Sequence, residues 1–183
     1  PLNLVALLNG ALGAVFLHPN YYGLGEPELQ GQYGDTTYYL FPTPVLPLLM
    51  PVEWVPFIGP PLAVTLDPFF RVLAEAGYNR TINPGQPTPV QWLYHPDPIS
   101  TAVNLAHSVP TGLDNGISYF TGNRPFGTAI PGPYGVGGPP VNAGCVGPNC
   151  AAGPTPYAAV NTPSQFDAET LVAADPMPNN DVA

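Results

Sequence analysis

Leu40-Phe41-Pro42-Thr43-Pro44-Val45-Leu46-Pro47-Leu48-Leu49-Met50-Pro51-Val52-Glu53-Trp54-Val55-Pro56-Phe57-Ile58 is long and apolar enough to suggest a membrane span, yet five prolines interrupt it. Each interior proline removes a backbone donor and clashes with the preceding turn, and lipid offers nothing to satisfy the freed carbonyls. The segment is therefore not a smooth spanning helix. Its side chains must be buried as short proline-capped turns under a domain, or must form an apolar lining or flap over a ligand site. Leu46, Leu49, Met50, Trp54 and Phe57 are the candidates for that lining.

Outward from this stretch, the chain up to Phe126 alternates apolar runs with turn residues, whereas Gly127 to Ala183 is mostly Gly, Pro, Ala, Asn and Thr. With 28 prolines and 20 glycines in 183 residues, this contrast predicts a folded region over 1–126 and a low-complexity, disordered tail over 127–183. The net charge is −9, from three arginines, no lysine and twelve acidic residues. With no basic patch to neutralise phosphates, neither nucleic acid nor an anionic membrane is an expected partner. The start on Pro1, without initiator Met, basic n-region or uninterrupted h-region, shows no targeting signal and reads as a piece of something longer.

Leu4, Leu8, Leu12 and Val15 recur at helical spacing, predicting a helix from Asn3 to about Leu17 that His18-Pro19 ends. Tyr21 to Gly34 reads as a loop, and Thr36 to Phe41, β-branched and aromatic, as a strand. Asp67 as N-cap, Pro68 at the first helical position and Gly77 at the end predict a second helix with Phe69, Val72, Leu73 and Ala76 inward. Gln91 to Tyr94 reads as a short strand, and Asp97-Pro98 repeats the cap signature before a helix that Pro110 ends.

The search for chemistry is short. None of Ser100, Ser108, Ser118 and Ser164 has the Gly-x-Ser-x-Gly context that a nucleophile turn needs; Ser118 keeps half of it, with Gly116. His95 reads as a turn residue and His107 as structural, while His18, on a loop before a strand, is either an ordinary loop histidine or a general base. Asp35, Asp67, Asp97 and Asp114 stand in cap or turn contexts. No ligand cluster suggests a metal, and no motif suggests a cofactor. Asn79-Arg80-Thr81 matches a glycosylation triplet without carrying a role. Cys145 and Cys150 are candidates for a small local disulfide.

The order of segments is more informative than any single motif. The His18 loop, Asp35-Thr36-Thr37-Tyr38-Tyr39-Leu40-Phe41-Pro42-Thr43, the runs Leu46 to Pro51 and Val55 to Ala63, then Asp67-Pro68 and Arg71-Val72-Leu73-Ala74-Glu75-Ala76-Gly77-Tyr78 together resemble the C-terminal half of the mycobacterial PE-PPE domain family, over about Pro1 to Pro98. The resemblance implies an incomplete α/β-hydrolase-like domain with short helices and few strands, from a serine esterase, lipase or acyltransferase acting on acyl esters or cell-envelope lipids. It places His18, in Val15-Phe16-Leu17-His18-Pro19-Asn20-Tyr21, at the catalytic histidine, with serine and aspartate upstream of Pro1. It further implies a secreted or cell-envelope location, a lipid substrate, and the N-terminal half of the same domain as partner. The alternative is a non-catalytic cell-envelope interaction module that uses the same apolar segments as an interface.

Overall fold

The computed structural model describes residues 3–19, 27–33, 36–80 and 96–139. Helix α1 (Leu4–Phe16) is followed by strands β1 (Glu28–Tyr33) and β2 (Thr36–Leu40), a 3-10 turn (Pro47–Leu49), the short helix α2 (Met50–Glu53) and the long helices α3 (Gly59–Glu75) and α4 (Pro98–Thr121). The two strands form an antiparallel pair. This is a mostly helical assembly with a small sheet, compatible with part of an α/β domain.

The proline-rich stretch divides in two. Its first half goes down into the core, where Val45, Leu46 and Leu49 pack with Ala63, Val64 and Ala74. Pro47 opens the 3-10 turn and Pro51 sits in the first turn of α2, positions where a missing N–H costs nothing. Its second half, from Trp54 to Ile58, turns outward and is exposed. Gly59 then lets α3 start close against α2, since a Cβ there would overlap the Val52 carbonyl.

Helix α1 forms as expected, with the Asn3 side chain accepting from Ala6 N–H at 3.0 Å. Asn3 also donates to the Leu73 carbonyl at 2.8 Å and Asn9 accepts from Leu48 N–H at 3.1 Å, so α1 lies across α3 and the 3-10 turn. The apolar repeat that announced the helix is not its packed face: Leu4, Leu8 and Val15 are exposed, and Ala6 is the buried residue of α1.

Three expectations are corrected. The predicted loop from Tyr21 to Gly34 contains β1, whose Glu-Leu-Gln-Gly-Gln-Tyr sequence has no β-branched residue; its pairing to β2 and a bulge between Leu29 and Gly31, the latter at φ 148°, hold it. Helix α3 begins at Gly59 rather than at Asp67, so Asp67 and Pro68 are interior, and Phe69 is exposed. Pro68 is tolerated there because the Val64 carbonyl it leaves without a helical donor accepts from Asn115 Nδ2 of α4 at 3.3 Å. Helix α4 does not stop at Pro110 but runs on to Thr121 and ends at Gly122, φ 70°. Ala106, four residues before Pro110, lies on the exposed side of α4. Gly112 and Gly116 seat α4 against Thr65 of α3; a Cβ at either would overlap Thr65. The expected strand from Gln91 to Tyr94 lies outside the described residues.

The chain past Phe126 folds back onto these helices, as far as residue 139. Asp114, 0% exposed, accepts from Phe126 N–H, Thr128 N–H and the Thr128 hydroxyl at 2.8, 2.8 and 2.7 Å. Burial alone would raise its pKa, but these three donors and the Arg124 charge outweigh it and hold the carboxyl below the usual range. A depressed native pKa stabilises the fold above the unfolded carboxylate pKa, and that contribution fades as pH falls through the native value. Asp114→Asn should therefore cost about 1.5–3 kcal/mol near neutrality and progressively less below about pH 4. Urea midpoints of both proteins measured against pH check this; a difference independent of pH would contradict it.

Asn115 offers a second local test. Its amide serves the Val64 carbonyl while its Oδ1 accepts from Arg124 Nη1 at 2.7 Å. Asn115→Ala leaves both partners unmet and should cost about 1–3 kcal/mol, read by chemical denaturation.

Candidate functional site

His18 follows directly on the end of α1, where the N–H groups of Leu17 and His18 both donate to the Gly13 carbonyl, at 2.9 and 3.1 Å. The helix terminus carries the ring to the surface, and the residue is exposed. Gly13 sits against Pro47 of the 3-10 turn, which fixes this end of α1 over the root of the apolar segment. Two residues before His18, Phe16 packs edge-on against Trp54 with ring centroids 5.4 Å apart. The histidine and the outward part of the apolar segment thus share one end of α1.

The five candidate lining residues separate. Leu46 and Leu49 are buried in the core cluster and Met50 is half-buried. Trp54 and Phe57 stand out at 69% and 92% exposure. Phe57 holds φ 66°, the left-handed region that a bulky side chain enters at a cost. It is the sole non-glycine residue at positive φ among the described residues.

The root of the segment is fixed by Asp67, whose role the sequence misassigned. Its carboxylate accepts from Leu46 N–H at 2.7 Å and from Arg71 Nε and Nη2 at 2.8 and 2.9 Å. Arg71 in turn donates to the carbonyls of Thr43 at 3.1 Å and Pro133 at 2.9 Å. One buried ion pair therefore ties α3 to both ends of residues 43–46 and to the returning chain.

The described serines are engaged elsewhere. Ser100 caps α4 with Asp97, while Ser108 and Ser118 donate from inside α4 to the Leu105 and Asn115 carbonyls at 2.7 and 3.0 Å. His107 is exposed in mid-helix rather than late in it. Asp35, His95, Ser164, Cys145 and Cys150 lie outside the described residues. Among the described residues, no group of His, Cys, Asp and Glu is arranged to hold a metal ion, and no helix is long and apolar enough to cross a membrane.

One concavity escaped the sequence reading, because that reading stopped α4 at Pro110. Pro61, Leu62 and Thr65 of α3 with Leu113, Gly116, Ile117 and Phe120 of α4 line an open apolar groove of about 290 Å³. Its signal in the sequence is the Gly112, Gly116 spacing beside Leu113 and Ile117, which marks close helix contact with apolar residues at its edge. His18 does not line it.

Comparison with known proteins gives a consistent family. The PE-PPE domain matches residues 1–79. The chain is 33% identical over 138 residues to PPE42, a PPE family protein of Mycobacterium tuberculosis, an alignment covering 72% of this chain and 24% of that protein. It is 35% identical over 120 residues to the PE family protein PE3 of the same organism, covering 61% and 25%. It is 32% identical over 118 residues to a protein named Esterase PE16, again from Mycobacterium tuberculosis, covering 60% and 22%. The chain thus spans about a quarter of the length of these relatives. No solved structure matches it. The match to the PE-PPE domain thus takes in α1, His18, the sheet, the apolar segment and α3.

Proposed function

We propose that this chain supplies the histidine and part of the apolar wall of a serine esterase, lipase or acyltransferase that acts on acyl esters or cell-envelope lipids, in a secreted or envelope-bound protein. The observation that carries the reading is the shared location of His18 and Trp54 at one end of α1, within a domain whose relatives include a protein named as an esterase. In the complete protein, a serine and an aspartate come from outside these 183 residues. The imidazole of His18 takes the serine proton as the hydroxyl attacks the acyl carbonyl, returns it to the leaving alcohol, and then activates water or a sugar hydroxyl to release the acyl group. Trp54 and Phe57 flank the acyl chain, whereas Leu46 and Leu49 act from below by holding the segment in place.

The test is nitrophenyl-ester turnover by the 183-residue chain and by the complete protein. The complete protein should turn over ester, and the chain alone should stay at background because the nucleophile is elsewhere. Saturable hydrolysis by the chain alone, abolished by His18→Ala, would overturn this division of the site.

A second reading, a non-catalytic envelope interaction module, draws on the exposed apolar groove between α3 and α4. A Gly-x-Ser-x-Gly turn followed by an aspartate upstream of Pro1 favours the enzyme; unrelated sequence there favours the module.

A further inference from the structure

We infer that the corner from Trp54 to Ile58, between α2 and α3, is a docking wedge that inserts into the surface of neutral lipid. Trp54, Val55, Phe57 and Ile58 are 69%, 46%, 92% and 63% exposed. They make a run of exposed apolar side chains, and contiguous exposed apolar surface marks an interaction site. Phe57, held at positive φ, is the most exposed of the four. A strained backbone that presents rather than buries a phenyl ring is retained where the ring has somewhere to go.

The chemistry selects lipid and the kind of lipid. The corner's main chain is largely satisfied within itself: Val55 N–H donates to Val52, Ile58 N–H to Pro56 and Gly59 N–H to Val55, at 3.1, 2.8 and 2.9 Å. Pro56 has no N–H to satisfy. Such a corner strands few donors in an apolar medium, and stranded donors are the main barrier to inserting irregular backbone. Trp54 at its edge suits the boundary between headgroup and acyl chains.

Charge excludes an anionic surface. The corner contains no charged side chain, and the chain's three arginines are committed inside the fold: Arg71 to Asp67, Arg80 to Glu75, and Arg124 to Asn115 and Thr128. Glu53, just before the corner, has its pKa raised by burial and by Asp67, which lessens its opposition to a lipid phase. The surface continues from Ile58 to Leu62, one helical turn on, and so into the groove between α3 and α4. A wedge here would bring the His18 end of α1 to the layer that holds a lipid ester. In this the inference deepens the esterase reading, and vesicle binding can be measured without any turnover.

The experiment is flotation of the complete protein with phosphatidylcholine vesicles, and with vesicles containing about a third phosphatidylglycerol, at low and high salt. Binding to phosphatidylcholine, with no gain from the anionic lipid and little loss in salt, is expected. Ile58→Asp, which places an acidic residue at a helix N-terminus and so should fold, and Phe57→Gly, which relieves the positive φ, should each weaken vesicle binding at least tenfold. Turnover of a soluble short-chain ester should survive Ile58→Asp. A wild-type protein that does not float, binding that appears only with anionic lipid, or variants that bind as well as wild type would overturn the wedge. So would self-association without vesicles that Ile58→Asp abolishes, since the corner would then be an interface between copies. If soluble-ester turnover is absent while vesicle binding and its loss behave as stated, the esterase reading fails and the wedge stands.

Discussion

Asp67→Ala should lower the free energy of unfolding by about 3–5 kcal/mol, the range for removing one partner of a buried pair and leaving the other charge uncompensated. The geometry supports the upper part of that range. The side chains of Asp67 and Arg71 are 9% and 8% exposed, so Arg71 would remain desolvated with only the Thr43 and Pro133 carbonyls as acceptors. Leu46 N–H, buried beside it, would lose its acceptor as well. The pair Arg80–Glu75, at 31% and 17% exposure, provides the contrast: Glu75→Ala should cost no more than about 1 kcal/mol. Urea unfolding of both variants decides the point, and equal losses would show that the Asp67 carboxylate is not the anchor described. The companion variant Arg71→Met, made with Asp67→Leu, should recover part of the loss, because an apolar pair of similar volume escapes the desolvation penalty even though Leu46 N–H stays unpaired.

The same residue shows how far the sequence could be read. Asp67-Pro68 has the composition of a helix start, and local rules assign it so. What they omit is that Gly59-Pro60-Pro61 already starts a helix and that a carbonyl freed by an interior proline can find a donor on another helix, here Asn115. Pro110 was misread because the carbonyl it frees, that of Ala106, lies on the exposed side of α4, where water can meet it. Both errors shortened helices whose continuation depends on the contact between α3 and α4 through Gly112, Gly116 and Thr65, a tertiary fact with no local signature. Strand β1 was lost because its polar, glycine-containing sequence forms a strand only when β2 is there to pair with it. By contrast, α1, β2 and the cap at Asp97 were legible, since each rests on side-chain periodicity, β-branched content or a cap hydrogen bond within a few residues. The proline-rich segment was half legible: its turns followed from proline chemistry, but which of its side chains would be buried depended on where α3 lies.

The largest functional effect should come from His18→Ala in the complete protein, a fall in kcat on the order of 10⁴ for ester turnover, with KM nearly unchanged. An imidazole that carries the proton between serine, leaving group and acceptor acts on the transition state, so its loss should not alter ground-state binding of the ester. Trp54→Ala should behave in the opposite way, raising KM for long-chain esters with a smaller change in kcat, because the role proposed for it is apolar contact with the chain rather than proton transfer. The two variants separate the proposed roles at one end of α1, which Trp54 reaches through its contact with Phe16. The main-chain bond from His18 to Gly13 is kept by alanine, and thermal midpoints of the two proteins read any change in stability apart from the change in rate. A His18→Ala protein that stays folded and keeps more than about a tenth of the wild-type kcat would remove the imidazole from the reaction, and with it the reason for assigning ester chemistry to this end of the domain.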